Sequence, residues 1–397
     1  MKNFRNFCST SIPRTHAALQ LRCFANVFMI IYATASTSSP QICMNMPVVE
    51  PFLLAQSQRR LNRLFSKDEI RRVKWMWVMG VEGATADMVS FKWLEQICAT
   101  RTAESTGQHT AFISTSAGRV AIVTGGNTGI GLVTVRELAR HGAKVYMFSR
   151  SESRATKAIG DIKKEIPDAN LEFVKFDLQS LKSANEAAET FLTKETRLHM
   201  LINNAGIVCN GTGHVALTLP FLPLLKQTAA EPNSHVRIVN LTSAASQMAY
   251  QPIFTSLETL NRPYVSTWIR YGNSKLTNML ITNELQKRLE GTGIYCLSVH
   301  PRIISTDLWL GMDQTSPWLS WLGAIRQRVM LTPSQGALTQ LYAATSIEIE
   351  EKDLKAAYLV PYGKVGCKTS LAKDKDGKLG GAFMELCEKL IANSKKS

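Results

Sequence analysis

Tyr271 and Lys275 stand four positions apart in the run Tyr-Gly-Asn-Ser-Lys, and this spacing is the clearest chemical signal in the chain. On a helix, positions i and i+4 share a face, so an ammonium at 275 stands beside a phenol at 271 and favours its ionised form. A phenol tuned in this way can give or take a proton near neutral pH. Well upstream lies a second candidate, Thr124-Gly-Gly-Asn-Thr-Gly-Ile-Gly131, between the apolar run Arg119–Thr124 and the amphipathic stretch Leu132–His141. Glycines between a strand and a helix permit a tight turn and let backbone N–H groups and the helix N-terminus approach a pyrophosphate. The spacing is not G-x-G-x-x-G, but the positional logic is the same. Each motif has a bland alternative: a surface phenol–lysine pair and a plain loop. Together they read as a dinucleotide-dependent reductase.

The elements that must hold these residues follow from hydropathy period. Apolar, β-branched runs place strands at 119–124, 143–148, 171–176, 198–203, 236–242, 293–299 and 356–361. Helical patterns fall between them, at 129–141, 151–165, 179–196, 211–230, 268–290 and 333–346. Such alternation predicts an α/β fold, a parallel sheet with helices on both faces. Ligands in such sheets bind at the carboxyl ends of the strands.

Four motifs then arrive in a familiar order: Thr124 to Gly131, Asn203-Asn204-Ala205-Gly206 after the fourth strand, Asn240-Leu241-Thr242-Ser243 after the fifth, and Tyr271-xxx-Lys275. In this the chain resembles the short-chain dehydrogenase/reductase family over roughly residues 118–397. Arg237–Ser243, Arg270–Lys275 and Thr332–Ala337 are similar to fungal members near the retinol-dehydrogenase branch. The resemblance implies a Rossmann-type doubly wound sheet of about seven strands in a catalytic domain at 118–397. It also implies oxidoreductase activity between a carbonyl and an alcohol, in a setting such as fungal specialised metabolism.

The same resemblance assigns roles. Tyr271 becomes the proton donor to a carbonyl or acceptor from an alcohol, Lys275 holds the nicotinamide ribose and lowers the Tyr271 pKa, and Ser243 hydrogen-bonds the reacting oxygen. Ser243 as a helix cap is the alternative. Thr124, Gly125, Asn127, Gly129, Ile130 and Gly131 line the dinucleotide, Asp177 touches adenine, and Asn204 and Gly206 line the cofactor. Ile304 and Thr306 fall near the carboxamide. Behind the second strand stand Ser149 and Arg150, with no carboxylate to repel a 2′-phosphate. A guanidinium there favours NADP(H) over NAD(H), which is retained as the option if Arg150 is merely solvated.

Two departures bear on activity. Arg302 follows His300-Pro301 where the resemblance calls for glycine, and a Cβ there restricts the backbone path beside the nicotinamide. Only Ile207, Val208 and Cys209 separate Gly206 from Asn210, where relatives carry a longer segment. Asn210 then either relays protons to the lysine or caps the helix that follows. A catalytically impaired nucleotide-binding scaffold or sensor is the rival reading these departures favour, and a spliced-out segment or a faulty gene model would also give the short link.

Trp309, Leu310, Met312, Trp318, Leu319, Trp321 and Leu322 follow the sixth strand, where the resemblance places a substrate lid. An apolar, aromatic lid suits a hydrophobic small molecule; a packing surface or a homodimer contact is the alternative. Residues 1–117 form an extension of unassigned fold, with weak helical pattern near 50–80 and 86–98. The first acidic residue is Glu50, and Lys2, Arg5, Arg14 and Arg22 precede an apolar stretch at 23–32 that is too short for an ordinary membrane span. This leader resembles a mitochondrial or secretory signal, and a gene model begun upstream of the true start accounts for it equally. Without that leader the expected location is cytoplasmic. The net charge is +15, and a basic surface suits a phosphorylated cofactor or an anionic membrane. No basic run interleaved with aromatics points to nucleic acid. The eight cysteines lack a disulfide framework and the seven histidines lack metal-ligand spacing, so no metal is expected.

Overall fold

The computed structural model describes residues 114–206, 212–250, 252–261, 267–301 and 332–394, all within the compact unit Ser105–Ser397. The predicted leader, the weak helices before residue 113, Asn210, Arg302, Ile304, Thr306 and the aromatic segment 309–322 lie outside these residues.

Eight strands form one sheet: β1 (Val120–Thr124), β2 (Lys144–Ser149), β3 (Leu171–Lys175), β4 (Met200–Asn203), β5 (Arg237–Leu241), β6 (Tyr295–Val299), β7 (Tyr358–Val360) and β8 (Lys364–Val365). Their order is β3-β2-β1-β4-β5-β6-β7-β8, parallel except for β8, which pairs antiparallel with β7. Every residue of β1 is buried, as a strand covered on both faces requires. The order reverses between β1 and β4, and a crevice at the carboxyl ends of the strands opens at such a switch.

The helices are α1 (Gly129–Arg140), α2 (Glu152–Glu165), α3 (Leu181–Leu192), α4 (Thr212–Thr218), α5 (Leu222–Ala229), α6 (Leu257–Leu260), α7 (Thr267–Arg288), α8 (Pro333–Thr345), α9 (Glu348–Glu351), α10 (Ser370–Lys373) and α11 (Lys378–Ser394). Two separate apolar cores lie on the two faces of the sheet. One joins residues of α3, α4, α5, α7 and α11 to Tyr146, Phe148 and Ile238. The other joins α1, α2 and α8 to Val123, Met147 and Val239. A buried bond from Gln340 Nε2 to Thr134 Oγ1, 2.9 Å, ties α8 to α1.

The single helix expected at 211–230 is two, joined by a 3-10 turn at Leu219–Phe221. Pro220 and Pro223 lack the N–H that a continuous helix would use. The eighth strand and α11 are additions to the expected scheme. Helix α11 closes one face through Phe383, Met384, Leu386 and Cys387, with Phe383 edge-on to Phe254 at 4.9 Å. Among the described residues no helix is long and apolar enough to cross a membrane.

Candidate active site

Catalytic geometry is built where β5 ends and α7 begins. Ser243 stands two residues past the end of β5 and caps the 3-10 turn Ala244–Met248, accepting from the Ala245 N–H at 3.2 Å. Its hydroxyl also hydrogen-bonds the Tyr271 phenol. The cap therefore does not turn the hydroxyl away from the phenol.

Helix α7 reaches Ser243 because Gly272 lets it. A Cβ at Gly272 would stand 2.6 Å from the Ala245 carbonyl oxygen, so only glycine allows the helix to press against the 3-10 turn. Side chains then lock the register: Thr242 Oγ1 donates to the Lys275 carbonyl at 2.7 Å, and Asn278 Nδ2 donates to the Leu241 carbonyl at 2.8 Å. One helical turn on, Asn240 Nδ2 donates to Thr282 Oγ1 at 3.0 Å, and Ser298 Oγ donates to the same hydroxyl at 2.9 Å. Positions 275, 278 and 282 thus form a polar stripe on α7 that reads the end of β5.

Lys275 is 5 % exposed, which removes the surface-pair reading. Its Nζ donates to the Leu241 carbonyl at 3.3 Å and lies 5.7 Å from the Tyr271 ring centroid. A Cβ on Gly206 would be 3.6 Å from that ammonium, so the Asn-Asn-Ala-Gly turn faces it closely. Burial holds the Tyr271 phenol above its ordinary pKa, with the Ser243 hydrogen bond acting in the opposite direction.

The dinucleotide side of the crevice lies at β1, β2 and β4. Gly125 has φ +65° and Gly129 φ +56°, values that glycine adopts without strain. A Cβ at Gly131 would collide with the Gly125 carbonyl oxygen and stand 2.5 Å from Asn204 Nδ2. That amide itself donates to the Thr124 carbonyl at 2.8 Å, while the Ala205 N–H donates to Thr124 Oγ1 at 2.9 Å. The glycine turn and the Asn-Asn-Ala-Gly turn are therefore one block, with Ile130 buried on α1 just behind it. Ser149 Oγ donates to Asn127 Oδ1 at 2.9 Å, fastening the turn to the end of β2, and Arg150 next to it is exposed. Asp177 stands beyond β3, its Oδ1 accepting from the Gln179 N–H at 3.0 Å. The cradle at Gly125 and Gly131 and the open helix N-terminus at Gly129 fit a dinucleotide pyrophosphate.

The structure thus gathers Thr124, Gly125, Asn127, Gly129, Ile130, Gly131, Arg150, Asp177, Asn204, Gly206, Ser243, Tyr271 and Lys275 along the carboxyl edge of β1–β5. It adds residues the sequence reading passed over. Gly272, Thr242, Asn278 and Thr282 carry the site from behind, and for Asn278 and Thr282 the polar i, i+3, i+7 stripe that starts at Lys275 was the available signal.

A short chain dehydrogenase family model matches residues 119–316. An uncharacterized oxidoreductase of Schizosaccharomyces pombe is 39 % identical over 272 residues, covering 63 % of this chain and 78 % of that protein. The chain belongs to the short-chain dehydrogenase/reductase family. Short chain dehydrogenase/reductase dpchH of Colletotrichum higginsianum is 37 % identical, covering 65 % and 71 % of the two chains. Mouse retinol dehydrogenase 12 is 36 % identical, covering 59 % and 75 %. Among solved structures, an uncharacterized protein of Mycobacterium paratuberculosis superposes with a TM-score of 0.54 at 28 % identity, covering 72 % of this chain and 98 % of its own. As a short-chain dehydrogenase/reductase near the retinol-dehydrogenase branch, this enzyme acts on CH–OH or C=O groups of a small molecule, and its family binds NAD(P).

Gly131→Ala tests the cradle. Overpacking of about 1–3 kcal/mol at this contact is expected to weaken NADPH binding about ten- to hundredfold and to lower the melting temperature. Titration of NADPH with a thermal melt checks both. An alanine variant that binds NADPH as the parent does would place the dinucleotide elsewhere.

Proposed function

We propose that this enzyme is an NADP(H)-dependent oxidoreductase that interconverts a carbonyl and an alcohol on a hydrophobic small molecule, in a setting such as fungal specialised metabolism. One observation carries the reading: the Ser243 hydroxyl and the Tyr271 phenol share a hydrogen bond at the end of β5, with the buried Lys275 ammonium beside them. When bound, the nicotinamide supplies or accepts the hydride. Tyr271 passes a proton to or from the substrate oxygen, and Ser243 donates to that oxygen as charge develops on it. Lys275 is placed to hold ribose hydroxyls and, with its charge, to favour the phenolate in the loaded site.

Two features support the substrate class. The segment joining Ser243 to Tyr271 exposes Tyr250, Ile253 and Leu257, apolar side chains that suit a hydrophobic carbonyl or alcohol. A related mouse protein carries retinol, an apolar alcohol, in its name. Terpenoid, polyketide-like or lipid-like compounds fit better than sugars or small acids. The test is NADPH oxidation by the purified enzyme with hydrophobic ketones and aldehydes beside polar ones. Turnover confined to sugars or hydroxy acids would reject the substrate class.

Cofactor preference rests on the exposed Arg150 and on Ser149, which is buried against Asn127 and leaves no acidic side chain at the end of β2. Arg150→Ala is expected to weaken NADPH about ten- to hundredfold, the value of hydrogen bonds to a charged group, and to leave NADH nearly level. Paired titrations with the two cofactors read the difference. Parallel loss for both would move the phosphate site away from Arg150.

A further inference from the structure

His214 is a buried imidazole that the proposed chemistry does not use. It lies on α4, 4 % exposed, with Nε2 3.0 Å from Thr124 Oγ1. Three features build this placement. Gly213 lets α4 approach the turn after β3, because a Cβ there would collide with the Leu178 carbonyl. The Phe176 ring stacks on the imidazole with centroids 6.4 Å apart and planes 30° apart. Thr124 in turn accepts from the Ala205 N–H through the same oxygen that meets His214.

Burial, followed by the charge of Lys275, pushes the His214 pKa down to about 3, so the ring is neutral at any working pH and carries a single N–H. The contact with Thr124 therefore does not titrate in that range. With Ala205 occupying one lone pair, the hydroxyl has one proton to give and one lone pair left. It either donates to Nε2, or accepts from Nε2–H and donates to the Ile202 carbonyl 3.5 Å away. In both arrangements Nε2 fixes the hydroxyl rotamer, and with it the junction between the glycine turn and the Asn-Asn-Ala-Gly turn.

We infer that His214 is a positioning residue for the dinucleotide: through Nε2 it orients Thr124 and so holds the two cofactor-binding turns in register. This rests on the reading that the crevice binds NADP(H) or NAD(H). It extends the cofactor site to α4, which reaches Thr124 at the end of β1 and supplies no group to the reaction.

Asparagine and glutamine substitutions separate the two ring nitrogens, because glutamine reaches the place of Nε2 and asparagine stops near that of Nδ1. In the full-length protein, His214→Asn is expected to raise the Kd for NADPH about tenfold, the equivalent of one lost hydrogen bond, while His214→Gln stays within about threefold of the parent. Adding His214→Asn to Thr124→Val is expected to cost little more than Thr124→Val alone, because both act through one contact. Melting temperatures of the cofactor-free variants provide the second readout. If Asn and Gln weaken NADPH equally in proportion to a fall in melting temperature, His214 only packs and the inference fails. It also fails if the Asn variant binds like the parent, or if its effect adds in full to Thr124→Val. Should His214→Asn not fold, His214→Phe, which keeps the ring and its stacking on Phe176, replaces it with the same expected tenfold loss. A parent that binds neither NADPH nor NADH would instead remove the cofactor reading itself, and the inference with it.

Discussion

Replacing Tyr271 by Phe is expected to lower turnover by about two to four orders of magnitude, the range for a positioned acid or base, while NADPH affinity stays close to the parent's. The phenol, on α7, is partly buried beside Ser243, and phenylalanine keeps its ring. What is lost is the proton and the hydrogen bond with Ser243. Steady-state rates with a hydrophobic ketone, set beside a direct NADPH titration, separate the two effects. Near-parental turnover would take Tyr271 out of the mechanism.

Lys275→Met should damage binding and rate together. The ammonium is buried, donates to the Leu241 carbonyl and faces the turn that contains Gly206. Methionine fills a similar volume without the charge, so the expected loss is about tenfold in NADPH affinity, the size of one charge-assisted bond, and about a hundredfold or more in turnover. The sign of the pH effect follows from the phenol. Burial holds Tyr271 above its ordinary pKa, and alcohol oxidation needs the phenolate, so its rate should climb through the alkaline range. Removing a neighbouring cation can only raise that pKa, so the rising limb should move to higher pH in the variant. An unchanged limb with unchanged NADPH affinity would contradict both roles of Lys275.

Much of this site was legible because its chemistry is local in sequence. Tyr271 and Lys275 are one helical turn apart, and the glycines at 125, 129 and 131 sit within seven residues, so period and turn chemistry find them. The strands were legible for a related reason: both faces are covered, and runs such as Val120–Val123 are continuously apolar. Other parts depend on contacts distant in sequence. Nothing near Gly272 announces that it meets Ala245, and nothing near His214 announces Thr124, because each partner lies on a different element. The two-residue strand Lys364–Val365 is exposed and shows no alternation to read. In α11, Gly380 and Gly381 argue against a helix, and burial of Phe383, Met384, Leu386 and Cys387 outweighs them. The burial of Tyr271 was not legible either: spacing fixes which face two side chains share, whereas burial and the Ser243 hydrogen bond come from the packed fold.

The central claim is that Ser243, Tyr271 and Lys275 serve NADP(H)-dependent carbonyl chemistry on an apolar substrate. Its most direct test is the stoichiometry of alcohol formed to NADPH consumed when the purified full-length enzyme meets a panel of hydrophobic ketones and aldehydes. The account predicts one alcohol per NADPH with at least one apolar carbonyl, and loss of that product in Tyr271→Phe. Tight NADPH binding without alcohol from any apolar carbonyl, or the same yield in the phenylalanine variant, would contradict it.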